Sequence, residues 1–412
     1  MKLCLAAFVG SGLLVLACGS SGDSSITPPV STDAPSSEGS SSTSPTDPGS
    51  STPAPGASNG STPPVTEPSM HVKFLGVGGF MLDYGGDSVL TAPLFTRPSM
   101  FEVTAGFVDS DALGVDKHLP ASTMTNLRAV ISGHAHYDHL LDVPVVMNRA
   151  PTATLYSNVS ARNLLAAYAP DRAAKCTKTK KAPFDIARTR VVAMDDPANS
   201  VVDYRGCPQL KPEGAPLEGK WVSVPNSHVR VLAMCSTHPD QVGPYHYAEG
   251  HVEEEQCDPP QRMDAWKEGN TLSFLVDFLD PKTNAPVYRV YYQDAPTDLP
   301  TGLPPDVLLQ QKRVDLALLC IGSSDSTDNA PEPTVNALNP RYVIGGHWED
   351  FFKGVDDTPS PIMFLDVPEW GKRARTAVSL LAPEPKDLVR NTKPTTTRAL
   401  VADPFDTFEV PR

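Results

Sequence analysis

The residues best suited to chemistry form one short run, His134 to His139, which contains three histidines and one aspartate. Imidazole nitrogen and carboxylate oxygen are ligands that a borderline cation such as Zn²⁺ accepts. One catalytic zinc needs three protein ligands and a water, so four donors here, with further histidines downstream, favour two ions. Two ions a few ångströms apart can share a hydroxide and bind the reacting oxygen of a substrate. The run therefore predicts a two-metal hydrolytic centre.

The elements around this run are expected to hold it rigidly. Residues 129–131 (Ala-Val-Ile) have the pattern of a buried strand, which leads through Ser-Gly into the histidines. Residues 140–148 have helical character. The run is thus predicted on a loop from a strand end to a helix start, a common place for functional residues.

Three later donors each follow an apolar β run. They are His238 after residues 229–234, Asp294 after 287–292 and His347 after 342–344. One such residue alone is more often a cap or turn residue. Because strand ends on one side of a layered fold converge, we expect all three to reach the histidine run. His228 is a rival to His238, but it precedes its strand, which favours His238.

The order of these donors resembles the metallo-β-lactamase superfamily. That family has a His-x-His-x-Asp-His loop, then a single His, a single Asp and a final His, each after a strand. Residues 76–80 (Gly-Val-Gly-Gly-Phe) and 133–142 are most similar to one branch. That branch contains bacterial ascorbate-phosphate lactonases and phospholipase-D-type enzymes that cleave N-acyl phosphatidylethanolamine. The resemblance implies an α/β fold, a four-layer αββα sandwich with the metals at one edge of its two sheets.

The resemblance also implies a ligand set. It assigns His134, His136 and His238 to a first ion, Asp138, His139 and His347 to a second, and Asp294 to a position bridging both. Asp138 and Asp294 would be the catalytic carboxylates. Two Zn²⁺ are the expected cofactors, with Mn²⁺ or Fe²⁺ as alternatives.

Asp294 and His136 refine the expected chemistry, and Ala92 weakens the expectation of catalysis. Class B β-lactamases lack a carboxylate like Asp294, which argues against antibiotic hydrolysis. Flavodiiron oxidoreductases of this fold carry an acid where this chain has His136, which favours hydrolysis over redox chemistry. Relatives usually have Asp-Pro after the second strand, whereas this chain has Ala92 before its proline. Losing a carboxylate that orients a ligating imidazole can cost ~10–100-fold in affinity or activity, and Thr91 is a candidate to compensate.

A long polar segment, residues 239–270, separates His238 from the next strand. A loop of this length beside a metal edge can act as a substrate lid. Tyr245 and His246 are its best-placed residues to contact substrate or to protonate a leaving group. The alternative is that they only pack the loop down. His71, His118 and His251 are assigned no role.

The start of the chain predicts export. Residues 1–17 have a lysine and then a largely apolar run, too short for the ~20 residues of a membrane span. Residues 15–18 (Val-Leu-Ala-Cys) resemble the lipobox of bacterial lipoproteins, so Cys18 is the expected lipidation site; an uncleaved anchor or an ordinary signal peptide are the alternatives. Residues 18–69, rich in Ser, Thr, Pro and Gly, predict a disordered tether. Residues 70–412 are expected to form one domain, in a cell-envelope lipoprotein facing the periplasm or the surface.

The net charge and the cysteines limit which partners and which cellular compartment are expected. The net charge of −14 and a pI near 5.1 make nucleic acid an unexpected partner, and the basic run at 175–181 is expected to be a solvated loop. Cys235 and Cys320 lie in apolar runs and are predicted to be buried thiols. Cys176, Cys207 and Cys257 lie in polar stretches, where export makes a disulfide plausible; Cys176 to Cys207 is the first choice.

These observations predict a zinc-dependent hydrolase acting on a phosphodiester or lactone, in a small or lipid-like molecule near a membrane. A thioesterase or amidase of the same fold is one alternative. A zinc-containing binding module without catalysis is another, which Ala92 keeps open. A nuclease is disfavoured by the acidic balance. The oligomeric state is not predicted.

Overall fold

The structure is a computed structural model, and it describes residues 68–105, 108–172, 176, 184–199, 201–328 and 330–412. The predicted signal peptide, nearly all of the tether and most of the basic run lie outside the described residues. One compact unit holds all the described residues. Within them, no helix has the length and apolar character needed to span a bilayer.

Sixteen strands and eight α-helices make up the described chain. The strands are β1 (Met70–Gly76), β2 (Gly79–Tyr84), β3 (Asp87–Thr91), β4 (Leu127–Ile131), β5 (Thr154–Ser157), β6 (Val191–Ala193), β7 (Val222–Ser223), β8 (Val229–Cys235), β9 (Leu272–Leu279), β10 (Pro286–Tyr292), β11 (Leu316–Cys320), β12 (Tyr342–Gly346), β13 (Leu388–Arg390), β14 (Lys393–Thr395), β15 (Ala399–Val401) and β16 (Thr407–Val410). The helices are α1 (Met100–Ala105), α2 (Ala112–His118), α3 (Tyr137–Leu140), α4 (Val143–Arg149), α5 (Val159–Leu165), α6 (Asp306–Gln311), α7 (Glu332–Leu338) and α8 (Val367–Ser379).

The strands form two sheets. The first has the order β14-β13-β16-β1-β2-β3-β4-β5-β6, and the second has the order β15-β12-β11-β10-β9-β8-β7. Strands β3 to β6 run parallel, and so do β10, β11, β12 and β15. Strand β9 is antiparallel to both β8 and β10, so these two share a direction.

Three hydrophobic clusters define the layers. Between the sheets, Phe74 and Phe80 of the first sheet lie in one buried cluster with Phe274 of the second. A second cluster joins the outer face of the first sheet to α2, α4 and α5, and a third joins the outer face of the second sheet to α7 and α8. Each fully buried large side chain stabilises this arrangement by about 1.5–3 kcal/mol. The layers therefore run helix, sheet, sheet, helix, which confirms the predicted αββα sandwich.

Strand β9 shows why these sequences become buried strands. Side chains alternate across a strand, so Phe274, Val276 and Phe278 face the core between the sheets. Leu275 lies on the opposite side, in the cluster with the outer helices. A strand covered on both faces has a nearly continuous apolar run, and that run made this strand readable from sequence.

The disulfides differ from the prediction. Cys176 pairs with Cys257 and Cys207 pairs with Cys235, so the predicted Cys176 to Cys207 bond is wrong, and so is the assignment of Cys235 as a free thiol. Cys320 is a buried free thiol as predicted. An extended segment at Asp203 explains the second bond, because it hydrogen-bonds to both Ala233 and Cys235 and thereby lies along the edge of β8. This edge contact brings Cys207 to the strand end.

Candidate metal centre

The histidine run follows the end of β4 as the sequence predicts, but the helix begins earlier than predicted, so only residues 134–136 lie on the loop and Tyr137 to His139 belong to α3. Ser132 Oγ donates to the carbonyl of His134 at 2.6 Å, and Ala135 N donates to the carbonyl of Glu268 at 2.9 Å. His136 precedes the first residue of α3, so Asp138 falls on its first turn. Both ends of the run are thus fixed by main-chain contacts.

Asp142, which is fully buried at the start of α4, also helps to fix the position of the run. Its carboxylate accepts hydrogen bonds from Phe95 N, from both the backbone and the hydroxyl of Thr96, and from Ser110 Oγ, at 2.5–2.7 Å. Burial raises the pKa of Asp142, while these donors oppose that change. The carboxylate ties the helix after the run to the loop after β3.

The first candidate ligand group consists of His134, His136 and His238. One ring nitrogen of each lies within 4.8 Å of the others. His238 Nδ1 donates to the carbonyl of Pro239 at 2.6 Å, which leaves the Nε2 lone pair free. Nε2 of His134 and Nε2 of His136 are buried without a hydrogen-bond partner. Buried nitrogens of this kind are costly unless something binds them, and a cation fits.

The second candidate group consists of Asp138, His139 and His347. Asp138 Oδ2 lies 3.3 Å from His139 Nε2 and 3.4 Å from His347 Nε2, and the two nitrogens are 3.1 Å apart. A tetrahedral zinc with bonds of about 2.0–2.1 Å holds its ligand atoms about 3.3 Å apart. The three donor atoms therefore already have the spacing of a metal coordination shell.

The electrostatics of the first group and of Asp138 agree with ligation, whereas for His139 burial alone would lower the pKa but Asp138 and Asp294 raise it. Burial lowers the pKa of His134 and of His136 well below the usual value, and it lowers the pKa of His238 to about 3. These imidazoles are neutral at pH 7, the state that binds metal. Burial alone would raise the pKa of Asp138, but His139 and His347 outweigh it, so the pKa lies well below its usual range and the carboxylate is ionised.

Asp294 contacts one ring of each group. Its side chain is fully buried, and Oδ2 accepts a hydrogen bond from Gly133 N at 2.6 Å. Oδ1 lies 2.9 Å from Nδ1 of His134, and Oδ2 lies 3.6 Å from Nδ1 of His139. The carboxylate thus touches one ring of each group on the side away from Nε2. Its bridging of two ions stays a prediction.

Ala92, which stands where the resemblance implies an aspartate, lies near the ring of His139. A Cβ on Gly78 would lie 2.9 Å from His139 Nδ1 and 3.0 Å from the Cβ of Ala92, so His139 Nδ1 and the Ala92 side chain both lie next to Gly78. His139 Nδ1 is buried without a hydrogen-bond partner. The Thr91 hydroxyl, the expected substitute, donates to Gly78 O at 2.5 Å and accepts from Phe80 N at 2.8 Å.

The long loop folds against the centre through His246. Its ring centroid lies 5.3 Å from that of His238, Nε2 contacts Glu268 Oε2, and Nδ1 is 3.6 Å from Asp240 Oδ1. His238, His246 and Glu268 form a third group with metal-ligand spacing. Tyr245 lies in a tight turn closed by backbone bonds with Val242, and its side chain is 45% exposed. Contact of either residue with substrate stays a prediction.

Sequence reasoning missed Glu268. It is 8% exposed, its carboxylate accepts from the Thr271 hydroxyl at 2.7 Å, and its carbonyl accepts from Ala135 N and Asn158 Nδ2. In the sequence it is one more charge in a polar loop, with no strand before it. No local signal distinguishes it from the exposed acids nearby.

His228 and His118 have contacts elsewhere in the fold. His228 donates its backbone N–H to Asp87 Oδ2 at 2.8 Å, at the start of β8 and opposite the end that carries His238. His118 stacks between the rings of Phe95 and Phe405. The preference for His238 over His228 agrees with this placement.

Comparison with known proteins finds likeness among solved structures. Igni18, a metallo hydrolase from Ignicoccus hospitalis, is 13% identical, with 82% of this chain and 97% of that chain covered and a TM-score of 0.43. The metallo-β-lactamase fold protein YhfI from Bacillus subtilis is 11% identical, with 83% and 99% covered and a TM-score of 0.39. The diiron β-hydroxylase CmlA from Streptomyces venezuelae is 12% identical, with 84% and 55% covered and a TM-score of 0.41. Identities this low concern fold alone, and nothing about metal or substrate follows from them. No protein-family model and no curated protein matches the chain.

Proposed function

We propose that this protein is a metal-dependent hydrolase with two ions, in the first instance Zn²⁺. The observation that carries the proposal is the pair of largely buried donor groups, with Asp294 contacting one ring of each group on its Nδ1 side. Each group offers three nitrogen or oxygen atoms at ligand spacing, and two of those nitrogens, Nε2 of His134 and Nε2 of His136, have no hydrogen-bond partner in the protein. The set of neutral imidazoles and carboxylates suits Zn²⁺, with Mn²⁺ and Fe²⁺ as alternatives.

The residues of the chain have separable tasks. His134, His136 and His238 would hold one ion, and Asp138, His139 and His347 the other. Bound ions supply an acidified water and polarise a carbonyl or phosphoryl oxygen. Asp294 orients the His134 ring by accepting from Nδ1, and its charge balances the cations.

The proposed substrates are phosphodiesters or cyclic esters, both of which require attack by water on an oxygen-bearing centre. The proposed location is the bacterial cell envelope, with Cys18 as the lipid anchor, which would place the centre near small or lipid-like molecules. The support for this location is the sequence of the first 69 residues.

A binding module without catalysis is the second candidate. The specific observation that favours it is His139 Nδ1, which accepts or donates no hydrogen bond and has its nearest carboxylate oxygen, Asp294 Oδ2, at 3.6 Å, too far to orient the ring by a hydrogen bond. This candidate predicts bound metal without turnover.

Metal analysis with a hydrolysis screen tests the proposal. We expect about two zinc ions per chain and turnover of bis(p-nitrophenyl) phosphate or of γ-lactones, both lost in Asp294→Ala. His228→Ala is the matched control, because His228 lies at the other end of β8. Active protein free of metal, or an Asp294→Ala variant that keeps its metal and its turnover, would overturn the proposal. Metal without turnover on any ester, amide or phosphodiester would support the binding module.

A further inference from the structure

A cavity of about 250 Å³ opens beside His238. Three segments line it: residues 237–240 after β8, residues 296–298 after β10, and residues 326–327 after β11. Since His238 is a candidate metal ligand, whatever fills the cavity lies next to the reacting atoms.

Hydroxyl groups form one part of the lining. Thr237 Oγ1 lies 2.9 Å from Thr297 Oγ1 and 3.3 Å from Thr301 Oγ1, so these side chains form a short hydrogen-bonded chain. Ser326 adds another hydroxyl, and Thr327 Oγ1 donates to the carbonyl of Ser324 at 2.7 Å, which leaves its oxygen as an acceptor. A hydroxyl both donates and accepts, so this wall suits a substrate that carries hydroxyls of its own.

Two carboxylates form the other part. Asp240 is 45% exposed, and Asp298 is exposed with Oδ1 accepting from Asp328 N at 2.6 Å, which leaves Oδ2 available. Among the described residues that line the cavity, none is a lysine or an arginine. Apart from the ions that His238 is proposed to help hold, an anionic group placed beside Asp240 and Asp298 would face two like charges and no cationic side chain of the lining, whereas a cationic or neutral group would not.

We infer that this cavity binds the non-reacting part of the substrate, and that this part is hydroxylated and either neutral or cationic, never anionic. The inference rests on the proposed hydrolytic function and narrows it, because it favours cyclic esters over phosphodiesters with charged head groups. In such a substrate the water oxygen bonds to the carbonyl carbon, the ring C–O bond breaks, and the proton passes to the released alkoxide.

Binding of hydrolysis-resistant lactams tests the cavity separately from turnover. The probes are 3-hydroxypyrrolidin-2-one (neutral), 3-(trimethylammonio)pyrrolidin-2-one (cationic) and 5-oxopyrrolidine-3-carboxylate (anionic), measured by calorimetry on the full chain. We expect the anionic lactam to bind roughly tenfold or more weakly than the cationic one, with a ratio that shrinks as salt rises. Equal binding, preference for the anion, or binding of none of the three overturns the inference.

Variants test whether the preference for the cationic over the anionic lactam comes from the carboxylates of Asp240 and Asp298. In Asp240→Asn/Asp298→Asn, the ratio of cationic to anionic affinity should fall roughly tenfold. Glu213→Gln removes a charge from an exposed loop outside the cavity lining and should leave the ratio unchanged. A ratio that Glu213→Gln shifts as much as the cavity variant does would attribute the preference to net charge alone and overturn the inference.

The matching γ-lactones, assayed for hydrolysis, separate the two proposals. Lactams that bind in the expected order without any lactone turnover would leave the cavity inference standing and count against the proposed function. Lactones hydrolysed with preference for the anionic ring would support the function and overturn the inference.

Discussion

Asp294 Oδ1 lies 2.9 Å from Nδ1 of His134, and both side chains are fully buried. Because a carboxylate accepts only, Nδ1 must carry the proton, and Nε2 keeps its lone pair. That Nε2 has no partner in the protein. The pair therefore fixes both the tautomer and the direction of the ring, as carboxylates behind metal-binding histidines do.

The first prediction follows from this pair. Asp294→Asn keeps an oxygen that can accept from His134, but it removes the negative charge. We expect metal affinity to fall roughly 10–100-fold, with the metal-free protein still folded. Competition with a chelator measures the affinity, and thermal unfolding of the metal-free variant is the control. Wild-type affinity in a folded variant would remove Asp294 from the centre.

The second prediction concerns Ala92 and the unpartnered Nδ1 of His139. Ala92→Asp would place a carboxylate beside this nitrogen, and we expect tighter binding of metal, by roughly 10–100-fold. Ala92→Asn has nearly the same shape without the charge and should give a smaller gain. Equal affinities in the wild type and Ala92→Asp would show that the ring is already oriented by other contacts.

The third prediction concerns Gly133, which allows Asp294 to approach the histidine run. A Cβ at this position would lie 2.2 Å from Asp294 Oδ1 and 2.5 Å from the carbonyl of Leu272. We expect Gly133→Ala to lower the free energy of unfolding by about 1–3 kcal/mol and to weaken metal binding as well.

Gly371→Ala is the matched control for Gly133→Ala. Gly371 lies inside α8, and its added Cβ would meet chiefly the movable end of Arg375 at 3.1 Å. Alanine is the better helix former by up to about 1 kcal/mol, so this variant should be neutral or more stable. Urea unfolding compares the two variants, and equal losses in both would refute the role given to the close approach at Gly133.

The convergence of the donors on one centre could be predicted from the sequence because these donors follow strands. His238, Asp294 and His347 stand directly after long apolar runs, and the parallel directions of β8, β10 and β12 bring those ends to one edge. The end of a strand can be recognised from local sequence, and the direction of the strand then determines at which edge of the sheet the next residue lies. The four-layer arrangement of the two sheets was instead implied by the resemblance of the donor order to a known superfamily.

The parts that sequence missed depend on contacts between distant segments. Glu268 reaches His246 only because the long loop folds back on the run, and Cys207 reaches Cys235 only because an irregular segment lies along β8. Neither segment has a hydrophobic period, so nothing local specifies where it packs. Loop placement and disulfide pairing therefore had to come from the structure.

The last prediction is a pH dependence of the metal-free protein. Burial lowers the pKa of His238 to about 3, whereas the same ring in the unfolded chain has a pKa of about 6.5. Between these values the unfolded chain binds a proton that the folded chain does not, so the free energy of unfolding falls as the pH falls. One such group contributes up to about 1.4 kcal/mol per pH unit.

His134 and His136, whose pKa values burial lowers well below normal, add to this slope, while His139, whose pKa is raised, opposes it. Urea unfolding of chelator-treated protein at about pH 7 and about pH 5 should show a clear loss of stability at the lower value. His238→Gln cannot take up the proton and should flatten the slope. Equal slopes in the wild type and this variant would mean that the His238 ring is already hydrated in the metal-free protein. The ring would then not be a neutral, buried group before a cation binds.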